Sequence, residues 1–203
     1  RETIDPVRFI SNRSTGKMGF ALAKNAMERG ADVTLVSGPV ELKDVPFVKM
    51  VHVESARQMF EAVTKEAETA DIIVKAAAVA DYRPTVVADE KIKKKDGDMS
   101  IALERTDDII GTLGKTKRDN LFLCGFSMET EHMLENSKAK LEKKNLDMII
   151  ANNVKVKGAG FGTDTNVVTL ITKDEIKELP IMSKEDVADE IFNNILANRK
   201  GIV

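Results

Sequence analysis

Val48-Lys49-Met50-Val51-His52-Val53, then Ala56, Met59, Phe60, Val63 and Ala67 at helical spacing, then Asp71-Ile72-Ile73-Val74-Lys75-Ala76-Ala77: this stretch decides the fold. Two short runs rich in Val and Ile bracket a helix-length segment whose apolar residues recur every three or four positions. The segment reads as strand, amphipathic helix, strand. A helical crossover between strands builds a parallel sheet, and the rhythm continues in both directions. Upstream, Met18, Ala21, Leu22, Ala26 and Met27 mark a helix over 17–29 that Gly30 stops, followed by a strand at 32–36. Downstream come a helix at 108–117, a strand at 121–126, a helix at 131–144 and a strand at 147–151. Residues 167–172 and 176–179 flank Lys173-Asp174-Glu175 as a late antiparallel hairpin, and Val187, Ala188, Ile191, Phe192, Ile195 and Leu196 give the last helix its apolar face. The expected fold is α/β, a doubly wound, mostly parallel sheet.

Two segments break the rhythm. Residues 1–10 contain Asp5-Pro6 and make a poor central strand, so a strand that delivers the loop ahead of residue 17 is expected to be missing from these residues. Residues 81–100 carry Tyr82-Arg83-Pro84 and the run Lys91-Ile92-Lys93-Lys94-Lys95-Asp96-Gly97. They are expected to form a flap, a loop with a short hairpin, whose lysines read either as a solvated run or as a binding lid. The cluster Gly158-Ala159-Gly160-Phe161-Gly162 opens no helix and reads as a mobile loop.

With 203 residues, 42% of them hydrophobic, the chain can bury one sizeable core, and one domain spanning 1–203 is expected. A net charge of -2 lacks the basic surplus of a general nucleic-acid binder, and no run approaches a membrane span. The one cysteine, Cys124, lies inside an apolar run and reads as a buried structural thiol in a reducing compartment, so the expected location is the cytoplasm.

Asn12-Arg13-Ser14-Thr15-Gly16-Lys17-Met18-Gly19 heads the first helix. Short capping and turn residues there let free N–H groups converge where the helix dipole favours negative charge, so the stretch reads as an anion cradle or as an ordinary capped helix. It is not a Walker A loop, since Ser11 and Met18 stand where Gly and Ser or Thr are required. A dinucleotide fingerprint also fails, because the strand at 32–36 ends in Ser37-Gly38-Pro39 without the acidic ribose contact. Open parallel sheets bind ligands beyond the carboxyl ends of their strands. Those ends read Ala76-Ala77-Ala78-Val79-Ala80-Asp81-Tyr82, Ser127-Met128-Glu129-Thr130 and Asn152-Asn153, and Lys140 and Lys144 share one helix face nearby.

Six motifs in order, Asp5-Pro6-Val7-Arg8, Ser11-Asn12 with Gly16-Lys17-Met18-Gly19, Ala77-Ala78-Val79-Ala80-Asp81-Tyr82, Lys91-Ile92-Lys93-Lys94, Gly125-Phe126 with Glu129-Thr130, and Ala151-Asn152, resemble the phosphopantothenoylcysteine synthetase family in its bacterial CTP-using form. The resemblance covers essentially the whole chain. It implies a Rossmann-like fold and a ligase of coenzyme A biosynthesis that joins 4'-phosphopantothenate to cysteine through an acyl-cytidylate made from CTP, with Mg2+ as cofactor. It implies Asn12, Lys91 and Arg8 as catalytic residues, Lys91 for activation and Asn12 for the acyl-cytidylate, with Asn12 and Ala78 also meeting substrate. The nucleotide would be bound by Ser14, Gly16, Lys17, Gly19, Lys75, Ala76, Ala77, Asp81, Lys91, Thr106, Asp107, Asp108, Ile109, Phe126, Lys140 and Lys144, with Asp81 also near the metal. Asp107 stands where the family often has Pro, and the family's glycine-rich strand end ahead of Asp5 is absent. The family is typically a homodimer, often fused to an upstream flavin-dependent decarboxylase, and no flavin site is expected in these residues. Two readings from other classes compete: a nicotinamide-dependent oxidoreductase and a non-catalytic nucleotide-binding domain.

Overall fold

The computed structural model describes residues 1–94, 96–128, 133–152 and 162–199. In chain order these form β1 (Glu2–Thr3), β2 (Phe9–Ile10), α1 (Lys17–Glu28), β3 (Thr34–Ser37), β4 (Lys49–His52), α2 (Ala56–Glu66), β5 (Ile72–Lys75), β6 (Tyr82–Pro84) and β7 (Leu103–Arg105). The second half adds α3 (Ile109–Lys115), β8 (Phe122–Met128), α4 (Met133–Lys143), β9 (Met148–Asn152), β10 (Thr165–Asn166), β11 (Val168–Ile171), β12 (Ile176–Glu178), β13 (Met182–Ser183) and α5 (Lys184–Asn198).

The period-2 alternation of β8 and β9 builds the two layers. Phe122, Cys124, Met148 and Ile150 point to one face and pack with Ala21, Leu22 and Ala26 of α1 and Val187, Ala188, Ile191 and Ile195 of α5. Leu123, Ile149 and Ala151 point to the other and meet Met59 of α2, Ile109, Ile110 and Leu113 of α3, and Leu141 of α4. Each large aliphatic side chain so buried contributes about 1.5–3 kcal/mol. The sheet runs in the order β12-β11-β9-β8-β5, with β5, β8 and β9 parallel and β11 antiparallel to both of its neighbours. Helices on both faces of this sheet make the fold doubly wound, and its β11–β12 edge is the expected late hairpin.

β3 and β4 pair in parallel but exchange no ladder hydrogen bonds with β5. Val33 nonetheless packs on the same apolar layer as Ile72 and Val74, and Val36 on the same layer as Ile73. The outer edge of β5 therefore has no ladder partner among the described residues.

The helix ends follow local chemistry. Ser55 and Gln58 form a reciprocal capping box on α2, and Ser183 caps α5 by accepting from the Asp186 amide. At α1, of the short residues Ser14, Thr15 and Gly16, it is Gly16 that occupies the N-cap, in the left-handed region at φ 79°, with no side-chain cap. A side chain there would strain the backbone, and its Cβ would come 2.8 Å from Val40 Cγ1. The N-terminal residues form a tight antiparallel hairpin, β1–β2, rather than a sheet strand, and it lies beside β6. The flap hairpin is wider than expected, since β6 pairs with β7 and closes at Arg105, beyond residue 100. All three β7 residues are exposed, so no buried face imprints a pattern on them. Residues 158–161 of the expected glycine loop at 158–162, the Glu129-Thr130 motif, the start of the helix at 131 and Asn153 lie outside the described residues.

Candidate functional site

The parallel strands β5, β8 and β9 end on one side, and the loop ahead of α1 arrives there too. Asn12 is the joint. Its side-chain Nδ2 donates to the Ala78 carbonyl in the segment after β5, and its Oδ1 accepts from the Ser14 amide at 2.8 Å. Asn12 and Ala78, both expected to meet substrate, are thus brought together. The amide keeps one N–H unused by these two bonds. Below them, Gly19 sits in the first turn of α1 against Ala76, close enough that a Cβ would lie 4.0 Å from the Ala76 Cβ. The first α-helical bond of α1 runs from the Phe20 amide to the Gly16 carbonyl, leaving the amides of Lys17, Met18 and Gly19 as helix-end donors.

A charged cluster lies beside this mouth. Burial pushes the Lys75 ammonium below its ordinary value; Lys144 and Lys140 push the same way and Asp108 and Asp81 oppose them. Lys144 pairs with Asp108 at 3.0 Å, and Asp108 also caps α3 by accepting from the Gly111 amide at 3.1 Å. Burial would raise the Asp108 carboxyl, but the Lys144 ammonium, the Gly111 amide and Lys75 outweigh it and hold it below the usual range. Lys140 approaches Ser127 at the end of β8 at 3.4 Å. Thr106 closes the base of the flap, its hydroxyl donating to the Ala80 carbonyl at 2.6 Å and its amide to the Asp81 carbonyl at 3.0 Å. Lys75, Asp81, Asp108, Lys140 and Lys144 therefore interact as one cluster that neighbours Ala76 and Ala77 along the chain.

Other expected residues have different surroundings. Lys17 pairs with Asp164 at 2.6 Å and donates to the Gly162 carbonyl at 3.1 Å, which engages it toward the β10–α5 region. The Ile109 side chain is in the core, leaving only its backbone at the first turn of α3. Phe126 is half-buried against the α1–α5 layer, and Asp107 is exposed. Lys91 is exposed on the flap, and Arg8 pairs with Asp5 and donates through Nη2 to the Ile92 carbonyl.

One residue carried no assigned role in the sequence. Asn152 ends β9 opposite Met128, is 8% exposed, and its Oδ1 has no hydrogen-bond partner among the described residues. A buried amide acceptor left unpaired at a strand end has room for a partner that a water or a ligand can supply; its position at a carboxyl strand end was the available signal.

Size alone does not locate the site. A groove of about 770 Å³ lined by Ser37, Gly38, Val40, His52, Glu54 and Glu61 contains none of the motif residues. No three His, Cys, Asp or Glu side chains converge as a metal set among the described residues.

Comparison with known proteins gives a consistent picture. A family model described as the DNA/pantothenate metabolism flavoprotein C-terminal domain matches residues 1–198. The chain is 52% identical over 203 residues to the Coenzyme A biosynthesis bifunctional protein CoaBC of Bacillus subtilis (strain 168), covering 98% of this chain and 50% of that protein. It is 47% identical to a cysteine/cysteine sulfinic acid decarboxylase from an unknown prokaryotic organism, covering 96% of this chain and 55% of that one. The crystal structure of the C-terminal domain of a Coenzyme A biosynthesis bifunctional protein CoaBC superposes with a TM-score of 0.81 at 45% identity, covering 96% of this chain and 88% of that one. The chain spans about half the length of the curated relatives it matches.

Proposed function

The chain belongs to the family of the DNA/pantothenate metabolism flavoprotein C-terminal domain, and from that premise we propose that it joins 4'-phosphopantothenate to cysteine in coenzyme A biosynthesis. The observation that carries the reading is the Asn12–Ala78 hydrogen bond, which draws the helix-end loop and the segment after β5 into one mouth.

The reaction runs in two steps. A carboxylate oxygen of 4'-phosphopantothenate attacks the α-phosphorus of CTP, the bond to the β-phosphate oxygen breaks, and pyrophosphate leaves. The cysteine amine, having lost a proton, then attacks the acyl-cytidylate carbonyl, and CMP leaves as the amide forms. Attack of one anion on another is limited by charge, so oriented donors and cations contribute more than an acid–base pair. The uncapped amides of Lys17, Met18 and Gly19 meet phosphate oxygens, as helix N-termini do. Ser14, Gly16, Lys75, Ala76, Ala77, Thr106, Asp107, Asp108, Ile109, Phe126, Lys140 and Lys144 complete the nucleotide's surroundings, and Lys17 would contribute its side chain on leaving Asp164.

Lys91 supplies positive charge to the activation step. In the second step Asn12 uses its free N–H to stabilise the carbonyl oxygen as it becomes tetrahedral, with its orientation already set by Ala78 and Ser14. Asp81 would hold magnesium together with phosphate oxygens. A magnesium site of one carboxylate plus phosphates needs no larger protein set, which the residues here fit. When bound, the ion supplies further positive charge at the phosphoryl oxygens.

The wider assembly follows the same reading. Val7 and Phe9 on the β1–β2 hairpin and Val86, Val87 and Leu103 on the flap are exposed apolar side chains on adjoining elements, which supports a homodimer formed through this face. We place residues 1–203 as one nucleotide-binding ligase domain that binds no flavin, within a longer protein whose upstream part is a flavin-dependent decarboxylase. The decarboxylase in one relative's name describes a protein nearly twice as long, and no residue here is assigned to that activity. No described helix is long and apolar enough to cross a membrane, and the buried Cys124, its thiol pushed well up by burial, suits a reducing cytoplasm. The test is isotope exchange: with CTP, magnesium and 4'-phosphopantothenate but no cysteine, labelled pyrophosphate should enter CTP, and absence of exchange from the intact protein would overturn the reading.

A further inference from the structure

Asp5 is a buried carboxylate that the reaction scheme leaves without a part, 1% exposed in the turn of the β1–β2 hairpin. Its Oδ1 accepts from the amides of Val7 and Arg8, both at 2.9 Å, which fixes the turn. Its Oδ2 accepts from Arg8 Nε at 3.0 Å and Nη2 at 2.5 Å, and also from the amide of Ile92, 87 residues away, at 3.1 Å. Arg8 Nη2 in turn donates to the Ile92 carbonyl at 3.0 Å. One ion pair therefore takes both main-chain polar groups of a single flap residue.

That residue stands between Lys91 and Lys93, both exposed. Nearby, the Ala88 amide donates to the Ile4 carbonyl at 3.0 Å, a second stitch between flap and hairpin. Among the described residues, the hydrogen bonds tying 91–94 to the rest of the chain run to Asp5 and Arg8. A lysine side chain is a flexible point charge that spends entropy when held, so its value in a charge-limited step depends on where its backbone is anchored.

We infer that Asp5 is a positioning residue for the activation step: with Arg8 it clamps the Ile92 backbone and thereby sets the root of Lys91. This rests on the reading of Lys91 as the lysine of activation. The Arg8 guanidinium holds the Asp5 carboxyl far below the usual carboxylate range, so the clamp stays charged through neutral pH.

A double-mutant cycle in the intact protein tests it, with pyrophosphate exchange into CTP as the readout and thermal unfolding measured alongside. Asp5→Asn and Lys91→Gln are each expected to lower exchange more than tenfold. If Asp5 acts through Lys91, the double variant should be no slower than Lys91→Gln alone, because a lysine already removed cannot be misplaced. Multiplicative losses in the double variant, or a wild-type rate in Asp5→Asn, would overturn the inference. Should Asp5→Asn fail to fold, Ile92→Pro removes the one flap amide donated to Asp5 while leaving the Val7 and Arg8 amides that fix the hairpin turn, and the same cycle with Lys91→Gln decides the matter with the same two outcomes. Trypsin gives a second readout: cleavage after Lys93 and Lys94 should speed up several-fold in Asp5→Asn or Ile92→Pro at an unchanged melting temperature, and unchanged cleavage counts against the clamp. A near-wild-type rate in Lys91→Gln alone is a different result, which removes the lysine from activation and leaves the clamp structural.

Discussion

Gly16 and Gly19 are three residues apart at the start of α1, yet the structure assigns them opposite costs, and substituting each by Ala separates stability from ligand binding. Gly16 has φ 79°, where an L-residue costs about 1–2 kcal/mol, and its added Cβ would also press on Val40 Cγ1 at 2.8 Å. The valine methyl can turn aside, so the backbone cost dominates, and the expected loss is about 2 kcal/mol. For a chain of this size that corresponds to a fall in melting temperature of roughly 4–8 °C. Gly19 is inside the helix and its added Cβ meets only Ala76 at 4.0 Å, an ordinary contact. Gly19→Ala should therefore hold or raise stability by up to about 1 kcal/mol, since alanine is the better helix former. Its methyl would nonetheless stand between the α1 amides and the segment after β5, where the phosphates are proposed to lie. Differential scanning calorimetry and calorimetric titration with CTP and magnesium read both quantities. The expected pattern is a melting loss for Gly16→Ala, and for Gly19→Ala an unchanged or higher melting point with CTP affinity lowered at least tenfold. Unimpaired CTP binding by Gly19→Ala would refute the placement of phosphate against α1.

Three further outcomes are expected. Asn152→Ala removes a buried acceptor that has no partner among the described residues, so chemical denaturation should show stability held or increased; a loss of more than about 1 kcal/mol would mean that the acceptor is satisfied in the free protein. Gly114→Ala would push a Cβ to 1.8 Å from the Lys144 carbonyl oxygen, a backbone atom that must move, and should destabilise by about 1–3 kcal/mol or more in urea unfolding. Stability should also fall in acid: Asp108, Asp164 and Asp189 lie below their ordinary value of 3.8, Asp108 through Lys144 and Gly111 against burial, Asp164 through Lys17 and Asp189 through Arg29. A lowered folded value means stabilisation present above the ordinary value and lost as pH falls from there through the folded values. Melting temperature should thus be flat with respect to these groups above about pH 5 and drop below pH 4, and neutralising Lys17 should reduce the drop.

The parallel core was legible because burial on both faces writes continuous apolar runs, as in Ile72-Ile73-Val74 and Leu121-Phe122-Leu123-Cys124. The β6–β7 and β10–β13 pairs were not, since two- and three-residue strands with exposed or mixed faces leave no periodicity. Which of the short residues Ser14, Thr15 and Gly16 begins α1 was not legible from their composition; the left-handed turn puts Gly16 at the N-cap. Asn12 and Ala78 were named from motifs 66 residues apart, and the structure joins them by a hydrogen bond. The bond between Asp5 and Ile92 leaves no trace in the sequence: an acid in a turn and an isoleucine in a lysine run carry no local mark of a contact 87 residues long.

The central claim is that substrate carboxylate oxygen becomes bonded to the α-phosphorus of the nucleotide. With 4'-phosphopantothenate labelled by oxygen-18 in its carboxylate, a complete turnover with CTP and cysteine should give CMP carrying one labelled oxygen by mass spectrometry. Unlabelled CMP alongside normal amide product would contradict it.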